Sequence, residues 1–226
     1  MSNTTDDRSE ENLAVSAHEA FSAGDLDHAI RLCTAAEDAR KRDRPEASSD
    51  SYRKLIGVAL WIKGKRSDAA NVWCEIVHDL IKHKIAYSDF GGGLLPGALL
   101  WFSSIYPENS SYRSKAESFL QKRISSKRRW PNMWPIPIGH YLVNSISKED
   151  LLNLAESSST LLSYRQLSQA HFYIACKDFG LENVERYRST MQLAAEIGIK
   201  NTCLEDEWEL ARFEGGKIPQ GLIRTD

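Results

Sequence analysis

The chain has 226 residues, of which 42% are apolar and 27% charged, and its formal net charge is −2. That length suffices for one large core, the near-neutral balance gives no general attraction to nucleic acid or an anionic membrane, and no run approaches the roughly 18 apolar residues of a membrane-spanning helix. The polar, acidic start from Met1 to Glu10 lacks the basic opening and apolar centre of a signal peptide. The resulting expectation is a cytoplasmic protein with a disordered segment over 1–10, one helical domain over 11–214 and an irregular tail over 215–226.

In chain order, a first helix carrying Ala17 leads to the turn Gly24-Asp25-Leu26-Asp27-His28, and a second carries Ala29, Cys33 and Ala36. Forty residues on, Gly64-Lys65-Arg66-Ser67-Asp68 answers that turn, and the same offset joins Ala17 to Gly57, Ala29 to Ala69, Cys33 to Trp73 and Ala36 to Ile76. A fixed offset predicts a repeat architecture. The polar stretch 40–49 between the copies reads as a lengthened loop.

Ala86 to Pro96, with glycines at 91, 92 and 93, reads as a mobile connector. It has neither the Lys-Ser/Thr of a phosphate loop nor a preceding strand. A third helix pair follows, from Gly97 to Ile105 and from Ser114 to Arg123, turning at Pro107-Glu108-Asn109-Ser110. The segment Trp130-Pro131-Asn132-Met133-Trp134-Pro135-Ile136-Pro137-Ile138 is too proline-rich for a continuous helix and too apolar for a solvated linker. It predicts a rigid staple across helix ends, with an aromatic peptide-binding groove as the competing reading. A short helix over Gly139 to Val143 and a helix at Leu151 capped by Ser147 come next. A fourth pair takes Gln169 to Cys176 as its first helix, with Val184, Tyr187, Met191 and Ala194 on the second, and Leu204 to Phe213 forms a terminal helix.

These units resemble the tetratricopeptide repeat, a helix A, a tight Gly turn and a helix B. The resemblance puts Gly57 at the small position of helix A, Gly64 in the turn, Ala69 at the small position of helix B and Trp73 at the bulky one. Ala17, Gly24, Ala29 and Cys33 fill the same places in a degenerate first copy, and Ala175 takes the small position of a fourth. The 40-residue offset exceeds the family's usual repeat of about 34, and Tyr187 stands where a small residue belongs. The resemblance implies an all-α fold, a right-handed superhelix of antiparallel helix pairs (an α-solenoid) with irregular Gly-rich and Trp/Pro-rich connectors. Such folds offer a surface rather than an enclosed reaction site. The stretch after Trp134 resembles bacterial members, which makes a bacterial immunity protein that binds and blocks a toxin the most concrete function.

The residues themselves offer little chemistry. Cys33, Cys74, Cys176 and Cys203 lack metal-ligand spacing, the first three read as structural thiols, and the six histidines form no HExxH or HxH pattern. The expectation is a non-enzymatic binding protein with no catalytic residue, metal or cofactor and no nucleic-acid partner. Charge is more informative in its distribution. Residues 113–129 hold seven bases against Glu117, and residues 205–214 hold five acids against Arg212. Helix dipoles account for part of each run, and solvated faces for much of the rest. The sharper reading is that Lys122, Arg123, Lys127, Arg128 and Arg129 dock an acidic partner surface. Arg53, Lys54, Arg165 and Gln166 are the candidate contacts on the A helices. Two alternatives stand beside the toxin inhibitor: an adaptor or chaperone that captures an extended peptide, and a small-molecule sensor built on Gly91 to Gly93 and the tryptophans.

Overall fold

The computed structural model describes residues 9–43, 50–126, 132–156, 160–179, 183–199 and 206–216. The expected disorder before residue 9, the part of the expected 40–49 loop from 44, the basic run Lys127 to Arg129, Trp130, Cys203 and the expected tail beyond 216 lie outside the described residues, whereas residues 40–43 and 215–216, expected as loop and tail, are helical.

Among the described residues the chain is all-helical and forms no extended strand. The helices are α1 (Glu10–Ser22), α2 (Leu26–Asp43), α3 (Ser51–Ile62), α4 (Arg66–Ile81), α5 (Leu94–Ser103), α6 (Arg113–Ser126), α7 (Ile136–Leu142), α8 (Lys148–Ala155), α9 (Thr160–Phe179), α10 (Val184–Ile199) and α11 (Asp206–Gly216). A 3-10 turn over Pro107–Tyr112 links α5 to α6. None of these helices is long and apolar enough to cross a membrane.

Local sequence sets the helix starts. Ser9 Oγ accepts from the amide of Asn12, Asp25 Oδ1 from that of His28, and Asn183 Oδ1 from that of Arg186. Ser147 caps α8 as the sequence predicts, and Asp150 adds the reciprocal bond of a capping box. The N-terminal boundary falls slightly earlier than expected. Glu10 is buried, paired with Arg40 and accepting from the Tyr52 hydroxyl at 2.8 Å, so helix rather than solvated chain begins there.

The two turns related by the 40-residue offset have the same geometry. Gly24 and Gly64 adopt φ of +81° and +80°, a left-handed conformation that penalises any residue with a Cβ. The Gly24 amide donates to the Phe21 carbonyl and the Asp25 amide to that of Ala20; Gly64 donates to Trp61, and Lys65 to Leu60. These bonds satisfy the last carbonyls of α1 and α3 and fold α2 and α4 back antiparallel.

The helices then pack closely enough to require glycine. A Cβ on Gly57 would lie 2.7 Å from Cε2 of Trp73, which is fully buried between α3 and α4. Gly97 in α5 stands in the same relation to Phe119 of α6, where a Cβ would lie 2.5 Å from Cδ1. Replacing Gly57 by Ala therefore forces the indole to move. The expected loss is about 1–3 kcal/mol, less a small gain in helix propensity, read as a lower urea midpoint with native helical content.

Each helix packs on its neighbour along the chain, and α11 also packs against α9 and α3. In a linear stack a terminal helix touches only the unit beside it. Here α11 joins the end of the chain to its second hairpin. The core is correspondingly continuous. Trp61 of α3 lies 4.6 Å from Phe102 of α5, ring centroid to centroid, Phe102 lies 5.0 Å from Phe172 of α9, and Phe179 lies 4.8 Å from Tyr187 of α10.

Residues 132–138 of the Pro-rich segment pack on neighbouring helices, and α7 begins at Ile136, three residues before the helix expected at Gly139. Ile136 and Ile138 are buried as α7 packs on α5 and α6, while half-buried Trp134 donates its indole N–H to Gln169 Oε1 at 2.7 Å. The Trp134–Pro135 peptide bond is cis.

Candidate functional site

Two constellations stand out, one beneath α11 and one on the surface between α4, α6 and the Gly-rich turn.

Beneath α11 the acids of the C-terminal run are drawn inward. The buried Glu214 carboxylate accepts from Trp61 Nε1 at 2.7 Å through Oε1, and from the hydroxyls of Tyr106 and Tyr187 at 2.8 and 2.9 Å through Oε2. Arg66 Nη2 lies 3.7 Å from Oε1, and its guanidinium stacks on the Tyr106 ring at 4.1 Å. Burial, followed by the Glu214 charge, holds both phenols well above the usual tyrosine range, so each keeps the proton it donates. Glu207 likewise accepts from Gln169 Nε2 and the Tyr173 hydroxyl, both at 2.9 Å.

At the other end of α11, Asp206 faces Lys54 Nζ at 3.6 Å. Burial acts to lower the Lys54 pKa, but the fields of Asp206, Asp50, Asp89 and Glu207 outweigh it and leave it raised. Burial also raises Asp206, with Lys54 opposing. Lys54 is therefore one buried cation answering several carboxylates from different segments. Asp50 in turn accepts from the Ser88 amide at 2.8 Å, which ties this cluster to the Gly-rich turn.

That turn is not the loose connector its glycines predict. Asp89 Oδ1 accepts from the amides of Gly93 at 2.9 Å and Leu94 at 3.4 Å, and Oδ2 from that of Leu95 at 3.0 Å. One carboxylate thus takes the first orphan donors of α5, which begins at Leu94. The amides of Gly92 to Leu95 are therefore engaged within the turn itself.

The anchored turn carries exposed aromatic groups. Phe90 is 80% exposed and Tyr87 51%; Ile81 at the end of α4 and Met133 are also exposed, at 38% and 40%. Pro135 abuts Gly91, and Leu80 and Tyr87 crowd Gly93, so the turn is seated on α4 and the Pro-rich staple. Across α4 lies α6, whose Arg123 donates to the Leu80 carbonyl at 3.2 Å and stacks on Phe119 at 4.9 Å. Lys122 beside it is exposed.

The structure redistributes the candidate contact residues. Lys122 and Arg123 reach the surface. Arg53 is held within the fold by Asp79 at 2.7 Å and Glu75 at 3.2 Å, so its charge is engaged by α4. Lys54 is only 9% exposed and belongs to the buried cluster, a correction to its reading as a partner contact. Arg165 and Gln166 are half-buried, and the Arg165 charge acts on Asp206. The acids at 206, 207 and 214 are likewise covered where a solvated face was expected; only Arg212 and Gly216 of α11 are exposed. Sequence reasoning did not single out Phe90, Tyr87 or Asp89. An Asp four residues before a Gly that opens an apolar helix was the available signal for the last of these.

No family model matches this chain, and no curated protein is similar to it.

Proposed function

We propose that the chain is a non-enzymatic protein-binding scaffold of tetratricopeptide-like helix pairs, and most concretely an immunity protein that occludes a toxin partner. The observation carrying the binding reading is Phe90, a large aromatic side chain presented to solvent on a turn that Asp89 and Asp50 pin in place. A pre-positioned exposed aromatic loses little conformational freedom on association, and such residues dominate interface energetics. Tyr87 is exposed on the same turn, and Ile81 at the end of α4 shares a surface groove with His83, Lys122 and Arg123, so apolar and basic groups lie together as in a protein interface.

Two alternatives find less support. A peptide adaptor needs the face carrying Lys54 and Arg165, and α11 packs there. A metabolite sensor on Gly91 to Gly93 loses the Gly92 and Gly93 amides, which the carbonyl and carboxylate of Asp89 already take.

The test is affinity capture of the tagged chain and its Phe90→Asp variant from source-cell lysate, followed by production of the recovered partner. Substitution at so exposed a site is expected to leave stability within about 0.5 kcal/mol and to remove the partner. Partner toxicity relieved by co-expression of the wild-type chain, and not of the variant, supports the immunity reading. Equal recovery by both forms contradicts the surface assignment.

A further inference from the structure

Resting on this binding surface, we infer that the groove between α4 and α6 takes an apolar side chain flanked by carboxylates from the partner protein. Leu80 and Phe119 form the groove floor and are almost wholly buried, while Ile81 forms an exposed apolar edge. His83, Lys122, Arg123 and Ser126 complete the lining, which contains no acid among the described residues. Lys122 and neighbouring Lys82 pair with no carboxylate among the described residues, so their charges remain available. Arg123 is held in place by the Leu80 carbonyl and the Phe119 ring.

The groove holds about 200 Å³. That is below the roughly 300–1,000 Å³ of small-molecule pockets and suits one large side chain. Apolar floor and basic rim together select a leucine- or phenylalanine-like group with aspartate or glutamate on either side. Leu80 both floors the groove and lies against Gly93 of the anchored turn, so groove and turn share a buried side chain. The rim charges speed association and favour acidic partners, and the apolar insert slows dissociation.

The probe is a labelled peptide with one leucine between aspartates, compared with twins in which alanine replaces the leucine or lysines replace the aspartates. Fluorescence anisotropy is read with the wild-type chain, Lys122→Glu and Ile81→Asp; both substitutions lie at exposed positions. Saturable binding of the parent peptide is expected, weakened at least about tenfold by either substitution and by either twin, and weakened further by added salt. Failure to saturate at millimolar peptide, or equal binding by wild type and Lys122→Glu, overturns the groove assignment. Capture of the folded partner separates this from the broader reading. If Phe90→Asp loses the partner while Lys122→Glu and Ile81→Asp retain it, the surface stands and the groove falls. If all three retain it, both fall.

Discussion

Replacing Glu214 by Ala is expected to destabilise the protein by about 4 kcal/mol and to release α11 from α3. The magnitude follows from what remains: the indole N–H of Trp61 and the hydroxyls of Tyr106 and Tyr187 all donate to this carboxylate inside the core. A buried donor without an acceptor costs about 1–3 kcal/mol, and the three sites relax together rather than adding in full. Arg66 also loses an ion-pair partner. Glu214→Gln retains the shape and one acceptor oxygen, and the phenols can turn to accept from its amide, so its loss is expected to be well under half as large. Urea unfolding measures both variants, and limited proteolysis reports the release of α11. A Glu214→Ala protein as stable as wild type would mean that α11 does not hold the inner aromatic cluster together.

Lys54→Met is expected to lose about 3–5 kcal/mol at neutral pH, because it leaves Asp206 buried without its nearest cation while Asp50 and Asp89 remain close by. The deficit has a definite pH dependence. Burial already raises the Asp206 pKa, and removing Lys54 removes an opposing influence and raises it further. A carboxyl with a folded-state pKa above its unfolded value binds more protons when folded, so its favourable contribution is complete below the unfolded pKa and lost as pH rises through the folded one. The gap between variant and wild type should therefore narrow as the pH is lowered from neutral. Urea midpoints from neutral pH downward test the sign. A gap that widens on acidification would show that Lys54 does not serve as the counter-ion of Asp206.

The helical hairpins were legible because they rest on local rules. Gly24 and Gly64 mark the turns, Gly57 and Trp73 mark a close helix crossing, and Ser147 marks a cap. The course of α11 was not legible, because its contacts with Trp61 and Lys54 span over 150 residues of sequence and no periodicity encodes them. Its traces were present as departures from the repeat pattern. Where the resemblance to the tetratricopeptide repeat calls for a small residue, Tyr187 instead donates its hydroxyl to Glu214. The acids of α11 looked like solvated decoration because composition does not reveal that Trp61, three tyrosines and Gln169 wait to donate to them. The Gly-rich turn misled for a related reason. Glycine signals conformational freedom, yet here Asp89 and Asp50 fix the backbone and leave Phe90 and Tyr87 facing solvent.

The most direct test of the account is hydrogen–deuterium exchange on the full chain, alone and with its captured partner. The account predicts new protection over residues 80–93 and 119–126, with α11 unchanged. Protection concentrated on α3 and α9, together with faster exchange in α11, would contradict it and show that the partner displaces α11 to bind beneath it.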